Sequence, residues 1–234
     1  MFKFQRHEEI LQHLETERTV SISKLASKLY VSEATIRRDL NALEKRGLVH
    51  RVFGGVVLTK FLNENLPQDL RARENLHLKE VVAKEASKLL FDGASVILDG
   101  STTVRMLLPH LNKLKNLIII TNNLEIINGM SNSMHKLICT GGQYLVRNKV
   151  FAGYQAEATL RDFYADFLFF SSQGYSSEGE ITDSSEQESA LRRVMLTRAK
   201  TKVFMCDHTK LNKRYTHRIC DKSAVDYIVC DIEI

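Results

Sequence analysis

The chain has 234 residues, of which 44% are hydrophobic and 26% are charged. This composition is typical of a folded globular protein and excludes a disordered tail, a collagen-like fibre and a mucin-like stalk. No apolar run approaches the roughly 20 residues needed to cross a bilayer. The first ten residues, MFKFQRHEEI, carry charges where a signal peptide is apolar. We therefore expect a cytoplasmic protein that has no membrane partner.

The net charge of +5 is unevenly distributed along the chain. The first 60 residues hold 11 basic and 7 acidic side chains, which account for most of the excess. A concentration of positive charge in one part of a chain favours a partner that carries phosphates.

The cysteines show no spacing typical of a metal site or a disulfide framework. None of Cys139, Cys206, Cys220 and Cys230 forms a CxxC pair, and three of them lie in apolar, strand-like runs. We expect buried, reduced thiols, and we predict neither a metal nor a cofactor.

Residues 1–59 are predicted to form three short helices and a two-stranded wing. Ser21 or Ser23 can cap the second helix, and Ser32 is a good N-cap for the third. The third helix is predicted to run to about Arg46, before Gly47, because glycine commonly follows the last residue of a helix. Its inward-facing residues recur at helical spacing: Ile36, Leu40 and Leu43.

Residues 60–76 are polar, contain one of the two prolines and lack strong periodicity, so we interpret them as a linker. Residues 77–234 then alternate strands and helices. The predicted strands are 95–99, 117–121, 136–140, 165–171, 201–207 and 226–231, and the predicted helices are 77–91, 103–112, 123–132, 153–163 and 186–199. Most of these strands are continuous apolar runs, as expected for a mostly parallel sheet covered on both faces. The sequence therefore predicts a second domain with a three-layer α/β fold.

The exposed side of the third predicted helix is basic near its N-terminal end. Because the apolar residues face inward, Thr35, Arg37 and Arg38 lie toward solvent. This end of a recognition helix meets base edges in the major groove, and arginine can contact either guanine or phosphate. The wing carries Arg51 just before the Gly54-Gly55 turn, where a wing usually approaches the sugar-phosphate backbone. The pattern predicts binding to double-stranded DNA and leaves open which arginine contacts a base.

One continuous run and several later positions form a recognisable signature. The run is SEATIRRDL, residues 32–40, and the later positions are Leu43, Gly47, Arg51 and Gly54-Gly55. Together they closely resemble the winged helix-turn-helix of the DeoR family of bacterial transcriptional regulators. The family usually has His before the glycine pair, where this chain has Phe53. The resemblance implies that operator DNA is contacted by Ser32, Thr35, Arg37, Arg38, Arg51, Gly54 and Gly55.

The resemblance continues through almost the whole chain. The segment Asp99–Thr103 matches a family loop of the form Asp-x-Gly-Ser/Thr-Thr with one residue fewer after the aspartate, and 121–123 match a Thr-Asn-Ser/Asn loop. The implied fold is that of ribose-5-phosphate isomerase A and glucosamine-6-phosphate deaminase, used as a sensor of phosphorylated sugars or related metabolites. The resemblance also implies a repressor of carbohydrate utilisation that assembles as a dimer or tetramer.

The residues of these loops favour ligand binding on chemical grounds as well. Glycine permits close backbone approach, hydroxyl groups add hydrogen-bond donors, and the start of a helix attracts an anion. Ligands of open α/β sheets bind beyond the carboxyl ends of the strands, and Lys210 offers a positive charge for a phosphate. The candidate effector-binding residues are Asp99, Gly100, Ser101, Thr102, Thr103, Thr121, Asn122, Gly141, Gly142, Asp183 and Lys210.

The chain departs from the family pattern at two positions. Ser171 stands where the family has a glycine at a strand end, and Arg192 stands near a position where the family often has lysine. Either change can alter the choice of ligand or only the local packing, and the sequence leaves the effector unidentified.

Two other functions fit parts of the sequence. In the first, the chain is an enzyme in which Asp99, Asp183, Glu186 and Lys210 act as acid and base groups, with fold analogy as the only support. In the second, the chain is an architectural DNA-binding protein whose second domain serves only for assembly. We predict a regulator without enzymatic activity, because a fused DNA-binding domain indicates sensing.

Overall fold

The chain divides into two units, Met1–Glu74 and Asn75–Ile234. The computed structural model describes residues 2–17, 19–52, 55–59, 68–131 and 133–234. Residues 53 and 54 of the predicted wing turn and residues 60–67 of the predicted linker lie outside these ranges.

The first unit is a helical domain that carries a small antiparallel sheet. Its elements are α1 (Lys3–Glu17), β1 (Thr19–Val20), α2 (Ile22–Lys28), α3 (Glu33–Lys45), β2 (Val49–Val52), β3 (Gly55–Leu58) and α4 (Gln68–Arg73). The strands pair in the order β1-β3-β2. A glycine is needed at the start of β3, because a Cβ on Gly55 would lie 2.5 Å from the carbonyl oxygen of Val20.

The two helices before the wing begin at serine caps. Ser21 caps α2, with its hydroxyl accepting a hydrogen bond from the backbone N–H of Lys24 at 3.1 Å. Ser32 caps α3 in the same way through the N–H of Thr35, at 3.2 Å. The apolar faces of the helices then close one core, whose fully buried helical residues are Ile10, Leu14, Leu25, Ile36, Leu40 and Leu43.

The segment 60–76, which we interpret as a linker, contains regular structure. Helix α4 lies inside it, and the next helix begins at Leu76. The domain boundaries 1–59, 60–76 and 77–234 stay a prediction.

The second unit is built on six parallel strands. Its elements are α5 (Leu76–Ser87), β4 (Ser95–Leu98), α6 (Leu108–Leu111), β5 (Ile118–Thr121), α7 (Leu124–Met130), β6 (Lys136–Cys139), β7 (Gln143–Leu145), β8 (Val150–Ala152), α8 (Tyr154–Arg161), β9 (Ala165–Phe170), β10 (Gly174–Tyr175), β11 (Glu180–Asp183), α9 (Glu186–Leu196), β12 (Ala199–Met205), β13 (His217–Asp221) and β14 (Tyr227–Val229). Three 3₁₀ helices accompany them, at Val104–Leu107, His208–Lys210 and Lys222–Ala224. The main sheet has the order β14-β12-β9-β4-β5-β6, and every neighbouring pair is parallel.

This strand order places a change of direction in the middle of the sheet. The chain lays down β4, β5 and β6 toward one edge, then returns to the other side of β4 and continues with β9, β12 and β14. Open sheets of this kind bind ligands at such a point, beyond the carboxyl ends of the two strands that flank it.

Alternate residues of the central strands enter two separate cores, so the sheet is covered on both faces. Val96, Leu98 and Phe169 belong to one core, whereas Ile97 and Phe170 belong to the other. All five are fully buried. The predicted fold class, a winged helix-turn-helix followed by a three-layer α/β domain with a parallel sheet, is confirmed.

Two antiparallel parts of the second unit were absent from the predicted strands. One is the hairpin β7-β8 and the other is the sheet β10-β11-β13. Their strands are two to five residues long. Such short strands with mixed polarity lack the continuous apolar run that identified the parallel strands.

None of the described helices has the length and apolar character needed to span a membrane. All four cysteines are free thiols. Cys206 and Cys220 are buried, but Cys139 is exposed, which corrects the expectation that it is buried.

Candidate functional site

The predicted recognition helix presents its basic residues to solvent. Arg37 and Arg38 are exposed, and Ser32 and Thr35 lie at the start of α3. A guanidinium nitrogen of Arg37 lies 3.2 Å from the carboxylate of Glu33, one turn earlier. Among the described residues, Arg38 has no hydrogen-bond or ion-pair partner. The helix therefore offers two cationic side chains on its exposed face.

Arg51 of the wing strand β2 is held against α3. Its Nε lies 3.3 Å from a carboxylate oxygen of Glu44, and its backbone N–H donates to the other oxygen at 3.2 Å. Its Nη2 donates to the side-chain oxygen of Asn41 and, at 3.4 Å, to the carbonyl of Arg37. The predicted wing residue therefore contacts the recognition helix in the structure.

A second group of predicted residues lies at the carboxyl ends of the parallel strands. Asp99 follows β4, and its Oδ2 accepts a hydrogen bond from the backbone N–H of Ser171, which follows β9. Lys210 donates to the hydroxyl of Ser171 at 3.3 Å and to the carbonyl of Ser172 at 2.6 Å. The structure thus brings Asp99 and Lys210 to the change of direction between β4 and β9.

Arg192 of α9 binds three carboxylates at this edge of the sheet. Its Nε lies 2.7 Å from Asp99, its Nη1 lies 3.0 Å from Asp183, and its Nη2 lies 3.4 Å from Glu188. All four side chains are at most 5% exposed. Burial by itself lowers the pKa of the guanidinium, but the attraction of the three carboxylates outweighs it and raises the pKa of Arg192. We call these four residues the Arg192 cluster.

The carboxylates of the Arg192 cluster are also hydrogen-bonded to the surrounding loops. Asp99 accepts from the N–H of Ser101 at 2.9 Å, and Asp183 accepts from the N–H of Ser185 at 3.1 Å. The side-chain amide of Asn148, in the turn of the β7-β8 hairpin, donates to Glu188. Asp99 and Asp183, which we predict to bind the effector, therefore brace the loops around the site.

The loop after β4 begins a 3₁₀ helix instead of a long α-helix. Ser101 accepts a hydrogen bond at 3.2 Å from the N–H of Val104, and the 3₁₀ turn is followed by only four residues of α6. The predicted helix 103–112 is thus short and irregular, which weakens the expected attraction of its N-terminus for an anion. Thr102 and Thr103 are both buried in this loop.

The β7-β8 hairpin covers the ends of β4 and β5. Asn122 exchanges two hydrogen bonds with Phe151, one from the backbone N–H of Phe151 at 2.8 Å and one from the Asn122 amide at 2.9 Å. Gly100 faces Val150, since a Cβ on Gly100 would lie 2.3 Å from a Val150 methyl carbon. Close packing of the hairpin therefore explains the glycine that we predict to lie against a ligand.

The remaining predicted positions also have local structural roles. The Thr121 hydroxyl donates to the carbonyl of Leu98 at 2.8 Å. Gly141 and Gly142 have φ values of +64° and +106°, and a Cβ on Gly142 would lie 2.7 Å from the carbonyl of Ala152. These glycines allow the chain to turn from β6 into the hairpin.

Three buried oxygen atoms near the strand ends have no hydrogen-bond partner in the described part of the chain. They are Oγ1 of Thr103, Oδ1 of Asn122 and Oδ2 of Asp207, and each side chain is at most 2% exposed. An unpartnered buried polar atom costs about 1–3 kcal/mol. Donor groups of a bound molecule can satisfy such atoms.

Comparisons with known families match both units. The DeoR-like helix-turn-helix domain matches residues 6–61, and the DeoR C terminal sensor domain matches residues 74–232. The chain belongs to the DeoR family. It is therefore a DNA-binding transcriptional regulator with a sensor domain.

Full-length relatives of this DeoR-family regulator are also transcriptional regulators. The HTH-type transcriptional regulator GolR of Listeria innocua is 32% identical over 100% of this chain and 92% of its own length. The putative aga operon transcriptional repressor of Escherichia coli O157:H7 is 30% identical over 97% of this chain and 86% of its own. The L-fucose operon activator of Haemophilus influenzae is 31% identical over 97% of this chain and 91% of its own length.

Solved structures that align with the DeoR-family chain are more distant. The eIF2B delta chain of Chaetomium thermophilum has a TM-score of 0.50 at 13% identity and covers 71% of this chain. The aligned part spans only 60% of that eIF2B chain, so the likeness describes the fold alone. Ribose 5-phosphate isomerase A of Methanocaldococcus jannaschii also aligns, with a TM-score of 0.44 at 19% identity over 59% of this chain.

Sequence reasoning missed the central part that Arg192 plays in the sensor domain. The signal was its position, because Glu188, Leu191, Arg192 and Met195 lie at helical spacing and are all buried. An arginine and a glutamate in the apolar stripe of a helix need charged partners inside the protein. Asn148 carried no comparable signal, because only the hairpin brings it to Glu188.

Proposed function

We propose that this regulator represses a carbohydrate-utilisation operon and that a phosphorylated sugar or a related metabolite controls it. The observation that carries the proposal is the gathering of polar loops at the change of direction between β4 and β9, inside a sensor domain. Ligands of open α/β sheets bind at this place. Two relatives named for the aga and L-fucose operons support a sugar-linked role.

The proposed operator contacts lie at the start of α3. Arg37 and Arg38 bind base edges or phosphates, while Ser32 and Thr35 contact the backbone close by. Gly55 begins the second wing strand, and Gly54 belongs to the same predicted turn. The exposure of both arginines and the burial of the opposite face of α3 support this assignment.

The proposed effector contacts come from the loops that follow β4, β5 and β12. Ser101, Thr102, Thr103 and Asn122 supply hydroxyl and amide groups, and Lys210 supplies positive charge for a phosphate. The unpartnered oxygens of Thr103 and Asn122 can accept hydrogen bonds, which supports a ligand that carries hydroxyl groups at this position. Asp99 and Asp183 act indirectly, by fixing these loops through Arg192.

We propose sensing without catalysis for the second unit. An acid or base group has to exchange protons with a substrate. Asp99 and Asp183 are instead buried beside a guanidinium, and Glu186 is exposed on the first turn of α9. The full-length relatives described above are regulators, which agrees with this proposal.

The proposal includes self-association and a cytoplasmic location. A dimer or tetramer supplies two DNA-binding units, which fit the two half-sites of a symmetric operator. The effector lowers DNA affinity only if it binds more tightly to the state that binds DNA poorly.

Substitution of the proposed effector contacts tests this function. We expect Ser101→Ala, Thr102→Ala and Lys210→Ala to leave operator affinity unchanged and to raise the effector concentration needed for release by about tenfold or more. The measurement is fluorescence anisotropy of a labelled operator during titration with the sugar phosphate that releases the wild-type protein. If all three variants respond like the wild type, the effector site lies elsewhere.

A further inference from the structure

We propose that Arg51 is a positioning residue, which fixes the wing on the recognition helix through Glu44 and Asn41, and is not a phosphate contact. This role goes beyond the DNA-binding function of the family and differs from the backbone contact that the sequence predicts for the wing arginine.

The contacts of Arg51 converge on one face of α3. One carboxylate oxygen of Glu44 accepts a hydrogen bond from the backbone N–H of Arg51, and the other lies at ion-pair distance from Nε, which forms no hydrogen bond with the described residues. The Nη2 of Arg51 reaches back to Asn41 and to the carbonyl of Arg37, which lie one and two turns before Glu44. A single arginine therefore ties β2 to two turns of the recognition helix.

The environment of Arg51 favours a stable contact over a transient surface ion pair. The side chains of Arg51 and Glu44 are 34% and 35% exposed, whereas the Arg37–Glu33 pair is 58% and 50% exposed. Partial burial and several hydrogen bonds strengthen a charged contact, while fully exposed pairs contribute little. A guanidinium whose Nε is buried and whose Nη2 already donates to two protein oxygens lacks the fork needed for a bidentate phosphate contact.

The position of Arg51 gives this contact a functional consequence. Arg37 and Asn41 are four residues apart, so the contact lies beside the arginines that face DNA. It adds a polar contact to the turn around Gly47 and to the packing of Val49 in the core beneath α3, and so helps to fix the distance between the recognition helix and the wing. Because the contact already orders the wing and the helix relative to each other, less conformational entropy is lost when both approach the same duplex.

The charge of Glu44 allows a test in which the two possible roles of Glu44 predict opposite changes in DNA affinity. If Glu44 only repels DNA, Glu44→Gln raises affinity by removing a negative charge. If Glu44 positions Arg51, the same substitution lowers affinity. Glu33→Gln is the matched control, because it removes an exposed acidic side chain of α3 that pairs with a different arginine, Arg37.

The experiment uses the full-length protein and a duplex that the wild type selects from a random-sequence DNA library. Affinity is measured by fluorescence anisotropy at several salt concentrations for Glu44→Gln, Arg51→Lys, Arg51→Met/Glu44→Gln and Glu33→Gln, after circular dichroism has shown that each is folded. We expect Glu44→Gln and Arg51→Lys each to lose about tenfold in affinity. We expect the double variant to match Glu44→Gln in affinity and salt dependence, because the two residues act as a pair.

A phosphate contact by Arg51 gives a different result. Each lost phosphate contact changes the slope of log affinity against log salt by about 0.9. The proposal is overturned if Glu44→Gln binds more tightly than the wild type. It is also overturned if the double variant has a slope shallower than that of Glu44→Gln by about this amount.

Discussion

Arg37 and Arg38 are adjacent in the sequence but differ in their surroundings. Arg37 has Glu33 as an ion-pair partner, and Arg38 has none among the described residues. Exposed ion pairs contribute little to stability, so neither side chain holds the domain together. Both are exposed, and we expect the loss of either one to affect DNA binding more than folding.

We expect Arg37→Ala and Arg38→Ala each to weaken operator binding by about tenfold or more, the range for a lost base contact. Unfolding by urea, followed by circular dichroism, will show unchanged stability within about 0.5 kcal/mol. Lys45→Ala is the control, because it removes an equal charge from the far end of the same helix. Wild-type affinity for both arginine variants contradicts the assignment of α3 as the recognition helix.

We expect the Arg192 cluster to contribute to the stability of the second unit more than to direct contacts with a ligand. One guanidinium contacts three buried carboxylates, so removal of Arg192 takes away the positive charge that all three share. Loss of one partner of a buried ion pair costs about 3–5 kcal/mol. Lysine keeps the charge but cannot reproduce the three-way arrangement of guanidinium donors.

Arg192→Met is expected to lower the free energy of unfolding by about 3–5 kcal/mol, and Arg192→Lys is expected to lower it by less. Arg193→Met is a suitable control, because Arg193 is an exposed neighbour on α9 that donates to the carbonyl of Arg218 at 2.7 Å. Urea unfolding distinguishes the variants. Equal stabilities for Arg192→Met and Arg193→Met would show that the cluster contributes no net stability.

At the scale of elements, a buried contact joins α1 to the recognition helix. Asp39 on the inner face of α3 is 2% exposed, with Arg6 at 2.5 Å and His7 at 3.2 Å. Burial alone raises the pKa of the Asp39 carboxyl group, but hydrogen bonds from Arg6 and His7 outweigh it, and the net effect lowers the pKa. An aspartate whose pKa is lowered by folding stabilises the protein above its unfolded pKa, about 3.9.

This linkage predicts a pH-dependent loss of stability. Asp39→Asn is expected to cost about 1.5–3 kcal/mol near neutral pH, the range for a charge-assisted hydrogen bond. The difference from the wild type is expected to shrink as the pH falls below about 4, because Asp39 becomes protonated. Urea unfolding between neutral pH and pH 3 measures this difference, with Glu8→Gln on the exposed side of α1 as the control. A difference that is constant over this range contradicts a stabilising charge on Asp39.

The elements differ in how well the sequence predicts them. The six parallel strands were found as continuous apolar runs, because burial on both faces leaves no polar alternation. The hairpin β7-β8 was missed, since Tyr144 is partly exposed while Val150 and Ala152 are buried against Gly100 and Gly142. Contacts that exist only after folding decide where such short strands form.

The two candidate sites also differ in how well the sequence predicts them, for a related reason. The exposed positions of α3 follow from its period, so helical spacing alone separates Arg37 and Arg38 from the buried Ile36 and Leu40. At the strand ends, topology gathers the loops, but the sequence does not specify which side chain turns toward which neighbour. The sequence therefore predicts that Asp99 contacts a ligand, but it does not indicate the ion pair with Arg192 that the structure shows.

At the scale of the whole molecule, one chain carries a DNA-binding unit and a sensor domain, and we propose that the sensor changes the affinity for DNA. A ligand that binds both states of the regulator equally does not shift the equilibrium between them. A ligand with a hundredfold preference for one state shifts that equilibrium by about 2.7 kcal/mol. The family assignment requires the two domains, and the proposed function adds the coupling between them. The central claim is therefore the reversal of DNA binding by a small phosphorylated molecule.

The most direct measurement is fluorescence anisotropy of labelled DNA from the region upstream of the protein's own gene cluster. The wild-type protein is titrated at fixed salt with hexose phosphates, pentose phosphates and inorganic phosphate in parallel. We expect tight DNA binding that one sugar phosphate reverses in a concentration-dependent manner, whereas inorganic phosphate does not. Tight binding that every compound leaves unchanged would contradict control by a phosphorylated sugar.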